Sequence, residues 1–169
     1  MQQLYLTGIH ADDVAARLFT ALNVRPAGYR LLPFEVGGET RGEALHLLLP
    51  PSAPLYNDVP CRIRTAEGAA SVVTKTLEDV AAPSLLAALN VHTPMLLCGM
   101  TADMLRCKAF REAVQQCLLS PRPVVVVADK SAQNTLRKLT PAEKQLWIDV
   151  DGRQDAALEA LLSEAMMRF

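Results

Sequence analysis

The chain lacks a charge excess: 17 Lys and Arg stand against 18 Asp and Glu, a net charge of -1, with no block of one sign. General nucleic-acid and membrane-surface binding need a clustered positive field, so neither partner is expected. It also lacks any apolar run near the roughly 20 residues of a membrane span. "PMLLC" (94–98) and "PVVVVA" (123–128) are strand-sized. No basic stretch leads into an apolar one at the start, so secretion is not expected and a cytoplasmic location is. Cysteine is scarce. Cys61, Cys98, Cys107 and Cys117 show neither metal-ligand nor redox spacing and read as reduced, partly buried thiols. There is no repeat and no low-complexity tract.

What is present is a core. Half of the 169 residues are hydrophobic and 21% are charged, which suits one folded domain over 1–169. Strand signals are "LYLT" (4–7), "GYRLLPFEV" (28–36), "EALHLLL" (43–49), "PMLLC", "PVVVVA" and "LWIDV" (146–150). Gly37-Gly38 predicts a hairpin between the second and third, an insertion over about 28–49. The Pro-rich stretch 49–60 predicts an extended loop.

Helical periodicity predicts helices over about 12–22, 69–89, 106–119 and 153–167, with Pro83 kinking or dividing the second. "PVVVVA" and "PMLLC" are apolar throughout rather than alternating, as strands buried on both faces are. The whole reads as a three-layer α/β/α domain around a mostly parallel sheet.

"LYLT" runs into "GIHADDVAARL" (8–18), a strand, a glycine and a helix. That is where phosphate-binding proteins place their loop. Two aspartates stand where such a loop wants glycine and open N–H groups.

Several pieces together resemble one family. They are "LYLTG", "AGYRLLPFEVGGETRGEALHLL", "TLEDVAAPSLLAAL", "PMLLCGMTADMLRCKAFREAVQQCL", "PVVVVADK" and "LWIDVDGRQDAALEALL". In order and spacing the chain resembles the P-loop nucleoside-triphosphatases of the thermophile type, also called cancer-related nucleoside-triphosphatases. The resemblance implies a P-loop NTPase-like fold with a β-hairpin insertion, ATP or GTP as ligand and Mg²⁺ as cofactor.

The motif residues depart from that family. Laid on Gly-x-x-x-x-Gly-Lys-Ser/Thr, Gly8 is the first glycine, but Asp13, Val14 and Ala15 stand at the second glycine, the lysine and the hydroxyl. Each charge-assisted hydrogen bond removed is worth roughly 1.5–3 kcal/mol. A carboxylate about 6 Å from a phosphate charge repels it by roughly 3 kcal/mol at an effective dielectric of 20. In the second motif Cys98 and Gly99 stand where the family ends its strand with acidic residues. The expectation is therefore a degenerate member that has lost Mg²⁺-dependent hydrolysis, with no cofactor and no catalytic or metal-binding residue. It would act as a binding or regulatory module.

The candidate region is the vestigial loop Gly8, Ile9, His10, Ala11, Asp12 and Asp13, with the strand-end rim Cys98, Asp103 and Asp129. A protein partner or small ligand could use that rim, where open α/β sheets bind ligands. Asp12 or Asp13 is expected to cap the first helix, and Asp13 could pair with Arg17. The alternative is a divergent nucleotide-binding protein or weak nucleoside-triphosphatase with an altered loop. A third reading makes Cys98 a nucleophile. His10 could serve as acid, base or ligand. Asp129 reads as a base or hydroxyl contact, or as a helix cap. Arg41 reads as hairpin surface and Trp147 as core. The oligomeric state stays open.

Overall fold

Side-chain alternation along the central strands sets the layers. Strand β1 (Gln3–Thr7) sends Leu4 and Leu6 to one face and Tyr5 to the other. Strand β6 (Met95–Met100) splits Leu96 and Cys98 from Met95 and Leu97, and β7 (Val124–Ala128) splits Val125 and Val127 from Val124 and Val126. Each strand is buried on both faces, so a continuous apolar run is the pattern this position requires. The computed structural model describes residues 3–48 and 58–152, with Leu158, Ala160 and Glu164.

Among the described residues there is one sheet of eight strands, in the order β5-β4-β3-β2-β6-β7-β1-β8. The strands not yet placed are β2 (Ala27–Val36), β3 (Glu39–Leu47), β4 (Val59–Arg64), β5 (Ala70–Val72) and β8 (Gln145–Asp149). Strands β2, β6, β7, β1 and β8 run parallel. Strands β3, β4 and β5 extend the sheet antiparallel from β2. The expected α/β architecture with a hairpin insertion is the observed one, with an antiparallel wing longer than a hairpin.

One face packs against α1 (Ala11–Ala21). The other packs against a helical run made of α2 (Thr74–Thr76), a π-turn over Leu77–Ala81 and α3 (Ala82–Ala88), and against α5 (Lys108–Leu119). Helix α4 (Ala102–Arg106) leads into α5, and a 3₁₀ turn at Lys130–Ala132 leads into α6 (Gln133–Leu139). Among the described residues no helix is long and apolar enough to cross a membrane.

Two sequence expectations need correction. The helix expected over 69–89 begins only at Thr74, because 70–72 pair with Arg62–Arg64 as β5. The extended loop expected to reach residue 60 gives way at Val59 to β4, whose partner β3 shifts register between Glu43 and Ala44 to admit Pro60. Residues 49–57 of that loop lie outside the described residues. So does most of the helix expected over 153–167, of which Leu158, Ala160 and Glu164 are helical. The π-turn ends two residues before Pro83, which donates no backbone hydrogen bond; the extra residue per turn absorbs that loss.

The helical layer above β2 holds one uncompensated polar group. The Tyr29 hydroxyl is fully buried without a partner among the described residues, with Phe110 packed edge-on to its ring at 6.0 Å. A buried hydroxyl that makes no hydrogen bond costs about 1–3 kcal/mol. Tyr29→Phe is expected to raise unfolding stability by about 1 kcal/mol, after allowance for the void it leaves. Urea titration checks this. A loss of stability would mean that the hydroxyl has an acceptor.

Candidate functional site

The parallel strands end at one rim. Strand β1 ends at Thr7, and Gly8, Ile9 and His10 turn the chain into α1, which starts at Ala11. Helix α1 begins this early because its apolar positions do: Ala11, Val14, Ala15, Leu18 and Phe19 are all buried on the β1–β7–β6 face. The Val14 N–H already donates to the His10 carbonyl at 3.1 Å, and the Ala11 N–H to the Gly8 carbonyl at 3.3 Å. A phosphate cradle needs these residues in an open loop with N–H groups converging on the ligand. Here the residues from Ala11 through Ala15 are the first turns of a helix.

The anion at this turn comes from elsewhere in the chain. After β8 the sequence Asp149-Val150-Asp151-Gly152 folds back, with the Asp151 N–H donating to Asp149 Oδ1 at 3.1 Å. The Val150 N–H donates to the Thr7 carbonyl at 2.8 Å. This places Asp151 Oδ1 2.8 Å from the Ile9 N–H. A negative charge at the start of α1 also suits the helix dipole. Gly8 is required twice over: its φ is +119°, and a Cβ there would lie 2.5 Å from Asp151 Oδ1.

Neither Asp12 nor Asp13 makes the expected cap, because His10 holds the capping position and no side chain accepts there. Asp13 is exposed, 4.0 Å from His10 rather than paired with Arg17. Asp12 turns toward the sheet. Its Oδ2 accepts from Arg30 Nη2 at 2.9 Å and its Oδ1 from the Cys98 thiol at 2.9 Å. Asp12, Arg30 and Cys98 therefore form one cluster joining α1, β2 and β6.

The strand-end positions of the second motif are equally occupied. Cys98 is 3% exposed. Gly99 has φ +88°, and a Cβ on it would stand 2.9 Å from Leu31 Cδ1. Asp103 pairs with Arg106 at 3.2 Å on α4. Asp129 accepts from the Ala132 N–H at 3.1 Å and from the Ser131 hydroxyl, so it caps the turn that follows β7. The rim residues thus divide. Asp12 and Cys98 meet, whereas Asp103 and Asp129 each serve their own helix start.

Magnesium and the triphosphate do not fit this donor set. The position of the metal-binding hydroxyl is Ala15, fully buried, and the lysine position is Val14, 1% exposed. Among the described residues no three His, Cys, Asp or Glu side chains group to hold a metal ion.

Cys98 sits as a buried thiol that donates to Asp12. Burial first, then the Asp12 hydrogen bond and charge, push its ionisation up, and Arg30 opposes them. Burial likewise pushes Cys61 and Cys117 up to about 12. An unfolded thiol ionises near about 8.5. The stabilisation is therefore complete below pH ~8.5 and is lost as pH rises toward about 12, since the unfolded chain releases thiol protons that the fold retains. We expect the melting temperature to fall across that window, with a shallower fall in Cys61→Val. Iodoacetamide at neutral pH should label Cys61, Cys98 and Cys117 only at the rate of unfolding. Fast labelling of Cys98 contradicts the assignment.

The remaining candidates fall outside this site. Arg41 pairs with Glu39 at 2.7 Å in the hairpin. His46 Nδ1 lies 2.7 Å from Asp58 Oδ1. Trp147 stacks on Tyr5 at 4.3 Å, under the Arg137 guanidinium. Sequence reading missed Arg30 and Asp151. A lone cation inside the apolar run "AGYRLL" marks the first, and the Asp-x-Asp-Gly after the last strand marks the second.

Two solved structures share this fold over nearly their whole length. THEP1 from the hyperthermophile Aquifex aeolicus superposes with a TM-score of 0.68 at 17% identity, covering 97% of this chain and 98% of that one. A human cancer-related nucleoside triphosphatase superposes with a TM-score of 0.64 at 14% identity, covering 99% and 96%. No protein-family model matches the chain, and no curated protein matches it. The fold is that of the P-loop nucleoside triphosphatases.

Proposed function

We propose that this chain is a non-hydrolysing protein on the P-loop nucleoside-triphosphatase fold, a binding or regulatory module whose phosphate loop is closed by its own carboxylate. One observation carries the reading: Asp151 takes the Ile9 N–H while α1 begins at Ala11, so the turn that would cradle a triphosphate is committed to the fold. Buried Val14 and Ala15 support it, as do Cys98 and Gly99 in place of acidic residues. A module of this kind presents its rim to a protein or small ligand rather than turning over a nucleotide.

Phosphate release from ATP and GTP with Mg²⁺ is expected to stay at the level of the protein-free blank. A melting-temperature panel over the same nucleotides should be flat, whereas a ligand at 100 times its Kd adds roughly 2.7 kcal/mol. Turnover that survives repurification and is lost in Asp12→Asn would overturn the proposal. The second reading, a weak nucleoside triphosphatase, is favoured by the near full-length superposition on the human nucleoside triphosphatase. It predicts a melting shift with at least one nucleotide and Mg²⁺.

A further inference from the structure

A groove of about 430 Å³ runs along the C-terminal half of α1, between that helix and strands β2 and β6. Its size is within the range of small-molecule sites, roughly 300–1,000 Å³. Phe19, Leu48 and Leu96 supply apolar wall, and Arg25 and Arg30 supply the charge. Among the described residues no carboxylate lines it.

The two arginines differ in how far they are engaged. Arg30 is shared with the Asp12–Cys98 cluster, where Asp12 accepts one of its hydrogen bonds at 2.9 Å. A guanidinium has five N–H donors, and Arg30 Nε is buried without an acceptor. Arg25 is exposed and has no ion-pair partner among the described residues. Two cations, an apolar wall and no lining acid complement an anion attached to an apolar body. No lysine is among the described lining residues, and a guanidinium fork matches a planar carboxylate bidentately.

We propose that this groove binds a small organic monocarboxylate with an aryl or branched-alkyl body, the carboxylate held by Arg25 and Arg30 and the body laid against Phe19, Leu48 and Leu96. The site is separate from the Gly8 turn, and the proposal stands whether or not nucleotides bind there.

Phenylacetate is the probe and phenylacetamide its uncharged control, titrated into the full chain by ¹H–¹⁵N NMR. Saturable shifts are expected at the Phe19, Thr20, Arg25 and Leu96 amides, with the amide control weaker by about tenfold or more, the loss expected for one charge-assisted hydrogen bond. Arg25→Gln should weaken phenylacetate by about the same factor. Thr20→Trp, on the exposed side of α1, should fill the groove and abolish the shifts at unchanged melting temperature. Equal binding of the two probes, no saturable shift, or undiminished binding in Arg25→Gln overturns the proposal. If Thr20→Trp fails to fold, the probe pair and Arg25→Gln decide it.

Discussion

Val14→Lys, which places a lysine where the phosphate-loop pattern has one, should destabilise the chain by about 4 kcal/mol or more and confer no nucleotide affinity. Val14 is 1% exposed and packs in the α1 core with residues such as Leu6, Leu18 and Val127. The substitution removes buried apolar area worth roughly 1.5–3 kcal/mol. It also drives an ammonium toward a wall with no acceptor suited to it, or unwinds the first turn of α1 to let it out. For a domain of this size the loss lowers the melting temperature by roughly 10 °C or more. Differential scanning calorimetry of the variant with and without Mg-ATP checks both halves. A loss below about 1 kcal/mol would mean that position 14 opens to the rim, so that the turn is not closed as described.

Gly99→Asp, which places a carboxylate at the end of β6, is expected to cost about 2–5 kcal/mol. Part of that is backbone: at φ +88° an L side chain sits in a region that favours glycine. The rest is steric, because the new Cβ would stand 2.9 Å from Leu31 Cδ1. The two parts can be separated. Gly99→Ala carries the same Cβ without the charge and should retain most of the loss. In a Leu31→Ala background the steric part is relieved, so the cost of Gly99→Asp should shrink by more than about 0.5 kcal/mol. Strict additivity of the two substitutions would place the whole cost in the backbone. Mg²⁺ should not rescue either variant, since the metal-binding hydroxyl is also missing at Ala15.

The architecture was readable because burial leaves its mark on pattern. "PVVVVA" and "PMLLC" could sit only between two helical layers, and that is where β7 and β6 lie. Gly37-Gly38 marks the β2–β3 hairpin for a different reason: a tight turn needs positive φ, here +63° and +81°. The antiparallel wing was less legible. Strand β4 has a proline as its second residue, which a register shift accommodates, and β5 is only three residues long inside a stretch with helical periodicity.

The site divides in the same way. That the loop lacks glycine, lysine and hydroxyl is plain from residues 13 to 15. That a carboxylate takes the Ile9 N–H is not, because Asp151 is brought there only by the parallel pairing of β8 with β1. Asp12 likewise found its partners, Arg30 and Cys98, across the sheet rather than along its own helix. Local rules place an aspartate at a helix start, but they do not tell which way it turns.

The most direct test is a titration of the ¹⁵N-labelled chain with Mg-ATP, following the amides of Ile9 through Ala15. A closed turn predicts that these resonances stay in place up to millimolar nucleotide, with the Ile9 N–H protected by Asp151. Saturable shifts confined to those residues at micromolar nucleotide would contradict it.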